Sequence, residues 1–418
     1  MAKENARKVV RYVEESAWNT VPSNPALKPL FYIPGGEILT LNPTYRDSES
    51  HRGRIGLEGQ YLVGEDSSLA LVQEFRPGEG NPFVRSAMRS TGVQYLSTSA
   101  ASDTITSTAV GASDFTITLE AGGVGTTGNT DWVADMGAAV GMWVKIGFAG
   151  DTCGCLGTWK IQSISTGTTA NDTITVTGFD LSAVVATSTA ADVVIGICSY
   201  ANDWQQPSFT FELDNEDESS NQYQYGTGLV ASSQDWEITA RGVLRCSTNF
   251  IGGGYANNGV TLGTGSRSST YSTAVPIHAN GAILNVKFGS TTLTGTSPVG
   301  FALNINNNTQ GKPGAGTKFE AIAHGRQSIT GWVDFLASDN AIESQGLAEA
   351  TKSIMLSYGD VSAIPFIFTA ERVQIGRVMP QNKTDPNGYL IARLPFTVVM
   401  PATGSVLARI DIPGSDTK

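Results

Sequence analysis

Between Pro207 and Gly253 the chain alternates apolar and polar side chains with period two. Phe209, Phe211 and Leu213 are separated by Thr210 and Glu212 and followed by Asp214. Trp236 and Ile238 alternate with Asp235, Glu237 and Thr239, and Leu244, Cys246, Thr248 and Phe250 with Arg245, Ser247 and Asn249. Successive side chains of an extended chain point to opposite faces, so this pattern predicts strands with one apolar and one wet face. Tyr223 and Tyr225 predict a further short strand, closed by Gly226 and Gly228. The acidic run Glu216–Asp217–Glu218 falls at the turn after the first strand. Together these features predict a four-strand meander with an acidic loop.

The same grammar extends over most of the chain. AILNVKFG, VGFALNINN, SITGWVDFL, SIMLSYGD, FIFTAERVQIG, YLIARLPFTVVM and SVLARIDIP all read as strands. With 47 glycines and only 16% charged residues, and with long apolar helical stripes nearly absent, the chain is expected to be mainly β. Its 418 residues exceed one ordinary core, so two or more domains are expected. Two helices are predicted: a short one over FVRSAMRS after Asn81-Pro82, and one over 340–352, weakened by Gly346. Residues 1–45 read as an irregular arm, because Pro22, Pro25 and Pro29 argue against a long helix. Trp18 is its expected packing anchor; the arm either lies on its own subunit or reaches a neighbour. Two short strands are expected around Gly56–Val63 and Leu69–Phe75.

Charge divides the sequence. Residues 101–200 hold nine acids against Lys145 and Lys160, so −7 of the net −11 lies there. ITSTAV, FTITLE, GMWVKIGF, TWKIQSIS, DTITVTGF and DVVIGICS punctuate this segment, which predicts a small β-sandwich or barrel inserted into a host domain formed by 1–100 and 201–418. An insertion at a loop requires its two ends to lie close together. The acidic balance disfavours gripping duplex DNA, where affinity comes from neutralising phosphates, but it is compatible with letting DNA pass without adhesion.

No motif for chemistry emerges. There is no phosphate-binding Gly-rich loop, nucleophile elbow or His-paired nucleophile, so no catalytic residue is assigned and no enzyme is expected. Cys153 and Cys155 are separated by one glycine but lack further Cys or His at zinc spacing; no metal and no cofactor are assigned, and Cys198 and Cys246 complete the set of four free thiols. His324 reads as structural. The cluster Asp214, Glu216, Asp217 and Glu218 lacks the ordered ligand spacing of a calcium loop and reads as solvated. Trp132, Trp143 and Trp159 fit either a buried core or a sugar-binding platform. The N-terminus shows no secretory pattern and no stretch is long and apolar enough to span a bilayer, so synthesis in the host cytoplasm without ordinary export is expected. Without chemistry, what remains is shape: many strands leave edges that must be covered or used, and long hairpins suit pairing across subunits.

In order and spacing, four segments resemble the major tail tube proteins of long-tailed, siphovirus-like bacteriophages: the arm RKVVRYVEESAWNTVPSNPAL, the meander, GFALNINNNT…FEAIAHGRQSITGWVDF, and RVQIGRVMP…LPFTVVMP. The resemblance covers residues 1–100 and 201–418. It implies a sandwich of two packed sheets with a flanking helix and long hairpins. It further implies hexameric rings stacked into a virion tail tube for DNA ejection, with tape-measure, terminator and tail-tip proteins as partners. On that reading Asp214, Glu216, Asp217 and Glu218 line the bore, and 101–200 decorates the tube exterior. The competing reading is a β-sandwich adhesin that recognises cell-surface glycans.

Overall fold

A computed structural model of the chain describes residues 8–35, 38–48, 59–98, 105–109, 114–119, 137–149, 157–165, 173–178, 187–188, 192–215, 222–238, 242–258, 267–278, 283–289, 291–292, 297–314, 316, 318–336, 351–359, 364–376, 379–381, 391–401 and 406–415. It is mainly β, as the alternation requires; among the described residues the named strands pair antiparallel, one isolated bridge, Leu27 to Arg267, is parallel, and there is no closed barrel. The sandwich expected for the main body therefore holds, with open sheet margins.

The meander has three strands, not four. Tyr223, Tyr225, Trp236 and Ile238 lie on one strand, Gln222–Ile238, which runs through both glycines expected to end it. Gly228 adopts φ +65°, and a side chain there would meet Asn19 and Trp18 at 3.0–3.2 Å. The glycine therefore bends the strand instead of stopping it, and a register shift at Ala231/Ser233 adds to the bend. The bent strand serves two sheets. Its first half pairs with Phe209–Asn215 and Gly254–Asn258, its second with Arg245–Gly252 and Ser297–Asn306.

Two apolar clusters result. One gathers Tyr12, Phe83, Phe209, Phe211 and Phe250, with ring centroids 5.0 Å apart for Tyr12–Phe83, 5.4 Å for Phe83–Phe209 and 5.1 Å for Phe211–Phe250. Each such pair contributes about 0.5–1.5 kcal/mol beyond area burial. The other is built on Trp236, Phe301, Phe335, Phe366, Phe368 and Phe396. The helix Asn81–Met88 joins them: Phe83 and Ala87 enter the first cluster, Val84 and Met88 the second. Pro82 starts it and Arg89 ends it at φ 56°. Eight residues are too few for a helix to persist alone, so burial on both sides holds it. This is the short helix the sequence predicted. The helix expected over 340–352 lies outside the described residues except Thr351 and Lys352, which open the strand Thr351–Gly359.

The N-terminal arm is more regular than its prolines suggest. Lys8–Glu14 pairs along its whole length with Phe209–Asn215, and Trp18 donates its indole N–H to the Gly228 carbonyl at 3.0 Å. The described part of the arm is thus fastened to its own chain. Further on, Ile38–Asp47 pairs with Gln60–Glu74, a single 15-residue strand where the sequence suggested two. Gly64 faces Thr44 across the pair, and the ladder continues past it with a register shift between Thr44 and Tyr45.

All six strand segments read within 101–200 are strands. Val93–Thr98 and Asp192–Ala201 pair antiparallel, which brings the two ends of the segment together. Asp192–Ala201 also pairs with Trp143–Ala149 and with Arg409–Asp411 near the C-terminus. Trp143 and Trp159 are 3% and 6% exposed, so they are core residues. Trp132 lies outside the described residues.

Candidate functional site

The acidic hairpin rests on a buried ion network. Thr210, Glu212 and Asp214, on the face opposite Phe209 and Phe211, are 0%, 0% and 5% exposed, so the face expected to be wet is dry. Burying carboxylates demands cations and hydrogen bonds. Arg11 Nη1 donates to Asp214 Oδ2 at 2.7 Å and to Glu212 Oε1 at 3.3 Å. Arg267 grips Glu212 with both arms, Nε to Oε1 at 3.0 Å and Nη2 to Oε2 at 2.7 Å. Glu15 closes the other end of the strand, accepting from Ser208 Oγ, Thr210 Oγ1 and the Asn19 and Gly228 amides at 2.6–2.8 Å.

Asp214 is therefore a neutralised footing for the hairpin, and the structure does not present it as a free charge. Glu216, Asp217 and Glu218, the other bore-lining candidates, lie outside the described residues. Arg11 and Arg267 escaped sequence reasoning because they stand 203 and 55 residues from their carboxylate partners.

The second feature is the ribbon of Ile38–Asp47 and Gln60–Glu74. Beyond Gly64 it carries Tyr45, Tyr61, Leu62 and Val63, exposed by 57%, 62%, 41% and 46%. Tyr45 is registered opposite Leu62, and Tyr61 opposite Arg46. Leu62 and Tyr45 thus share one face of the ribbon and Tyr61 lies on the other, Val63 being the extra residue of a bulge between the Thr44–Gly64 and Tyr45–Leu62 pairs. Each face thus carries a tyrosine left exposed by the described residues. In addition, among the described residues the one strand that pairs with Ile38–Asp47 is Gln60–Glu74, which makes it an edge strand there.

Titratable groups elsewhere do not converge. Among the described residues no three His, Cys, Asp or Glu side chains form a group able to hold a metal. Burial pushes the Cys198 and Cys246 thiols up to about 12, which keeps them protonated and inert as nucleophiles. Cys153 and Cys155 lie outside the described residues. His324 is held below the ordinary histidine range by desolvation and by the charge of Arg89. No described helix is long and apolar enough to cross a membrane.

The family model described as phage tail tube protein matches residues 180–398, just over half the chain. No curated protein matches the chain.

Proposed function

The chain belongs to the phage tail tube protein family, and from that membership we propose that its copies close into hexameric rings that stack into a hollow tube through which the genome leaves the virion. The chain is a structural component of the phage tail; ring order, stacking and passage of DNA are the reading advanced here. The observation that carries it is the Tyr45–Tyr61 ribbon, which exposes Tyr45, Tyr61, Leu62 and Val63 and among the described residues ends in an edge strand. A two-stranded ribbon of this kind is at best marginally stable in water, and a neighbouring copy supplies the missing face and the missing ladder. The siphovirus-like assignment belongs to the same proposal.

Glu216, Asp217 and Glu218 are placed on the bore, where negative charge repels the phosphate backbone and prevents adhesion. Asp214, locked by Arg11, positions that hairpin from below. The segment 101–200 is assigned to the tube exterior as a separate module, since a bore wide enough only for DNA has no room for it. Tape-measure, terminator and tail-tip proteins are the proposed partners. The adhesin reading loses its support, because Trp143 and Trp159 are buried and cannot form a sugar platform. The test is the double substitution Tyr45→Ser/Tyr61→Ser. The variant folds with wild-type stability yet fails to form rings or tubes by electron microscopy. Normal tubes from this variant would refute the ribbon's role.

A further inference from the structure

At the end of the short helix lies a cavity of about 840 Å³ that the ribbon and the acidic hairpin do not use. Its lining includes Arg89, Asp203, Trp204, His324, Arg326 and Met400. Arg89 is 3% exposed, and its Nη1 donates to the Gly325 carbonyl at 3.0 Å. Its Nε and Nη2 are buried and make no hydrogen bond. A buried guanidinium with idle donors is costly, and a native structure keeps one when an anion completes it. The Trp204 ring lies over the guanidinium, its centroid 4.9 Å from the guanidinium carbon, and the Asp203 charge acts on the same group. Trp204 is 80% exposed. The indole therefore rests against the guanidinium while most of its own surface faces solvent. Arg326 and His324 bring further donors to the mouth against a single carboxylate, Asp203.

We infer that this cavity is a socket for a carboxylate carried by a second copy of the chain, the incoming oxygens taking the free Nε and Nη2 of Arg89 while Trp204 packs against the docked segment. An anion is specified by the idle donors. A second copy is specified by charge: each chain has 38 acids and a net charge of −11, and a basic recess on an acidic surface is complementary to the rest of that surface. The exposed Trp204 and Met400, at 80% and 54%, give the mouth an apolar rim suited to a protein segment more than to a free ion. The choice of occupant rests on the tube reading; the anion site itself does not.

The experiment has two arms on the full chain. In the first, glutarate is titrated into unassembled protein while tryptophan emission is followed. The expected result is a saturable change that disappears in Trp204→Phe, weakens about tenfold in Arg89→Gln, and is absent with uncharged glutaramide. Arg326→Gln, at an exposed position, supplies the same comparison should Arg89→Gln fail to fold. A response that persists in Trp204→Phe, or is equal for glutaramide, overturns the anion site. In the second arm, Arg326→Glu raises the concentration for half-assembly about tenfold, and excess glutarate competes with assembly of the wild type. Unchanged assembly in both cases overturns the second copy as occupant while leaving the tube reading intact. Glutarate binding by a wild type that never assembles supports the anion site and overturns the tube reading together with the proposed occupant.

Discussion

Asp411→Asn should change the pH dependence of stability in a way that can be worked out beforehand. Asp411 is fully buried on the strand Arg409–Asp411, registered against Ser199 on one side and Ile367 on the other. The Trp143 amide reaches Oδ1 only at 3.5 Å, and the Ser199 hydroxyl is the other hydrogen-bonding group beside the carboxyl. Burial raises the carboxyl from 3.8 to about 7, against the pull of the Arg409 and Lys160 charges. The folded value lies above the unfolded one, so the folded state holds the proton more tightly. Its contribution is complete below about pH 4 and is lost as pH rises to about 7. Each pH unit in that window is worth about 1.4 kcal/mol, so the span amounts to about 4 kcal/mol. Asparagine cannot ionise and removes the dependence. In urea denaturation at pH 4 to 8, the difference between Asp411→Asn and wild type should swing by about 4 kcal/mol in favour of the variant as pH rises. Parallel pH profiles for the two proteins would refute the buried, raised carboxyl.

Other substitutions probe other links. Arg11→Met strips Asp214 of its cation and should cost about 3–5 kcal/mol in denaturant unfolding, with most of the loss recovered by adding Asp214→Asn. Gly331→Ala would place a methyl 2.5 Å from both the Ala302 carbonyl oxygen and the Phe396 ring, so its melting temperature should fall, by an overpacking cost of about 1–3 kcal/mol. Tyr45→Ser/Tyr61→Ser should leave unfolding free energy within about 0.5 kcal/mol of wild type, because both side chains are exposed in the single chain. Deletion of 101–191, which joins Val93–Thr98 to Asp192–Ala201 and keeps both paired strands, should preserve tube formation by electron microscopy; loss of polymerisation would count against an exterior module.

Period-two alternation is local, and it was enough to expose strands wherever one face is apolar. It found Phe209–Asn215, Ser297–Asn306 and Phe366–Ile375, and all six strands inside the acidic segment. It failed where glycine bends a strand without ending it, at Gly226, Gly228 and Gly64. It also misjudged the face of Thr210, Glu212 and Asp214. Polar residues in alternation read as solvated, and only distant partners, Arg11 and Arg267, make their burial affordable. The ribbon bearing Tyr45 and Tyr61 was only partly legible, since exposure of an aromatic is a tertiary fact that composition does not carry. Arg89 was invisible for the same reason: its isolation depends on Gly325 and Trp204 meeting at the end of a helix.

The central claim is that one copy leaves apolar surface and backbone edges that the next copy completes. Cryo-electron microscopy of the purified chain across rising protein concentration tests it most directly. The account predicts closed rings or stacked tubes in which the Ile38–Asp47 and Gln60–Glu74 ribbon packs on a neighbouring copy. A dispersed monomer at every concentration, or tubes whose ribbons project freely into solvent, would contradict it.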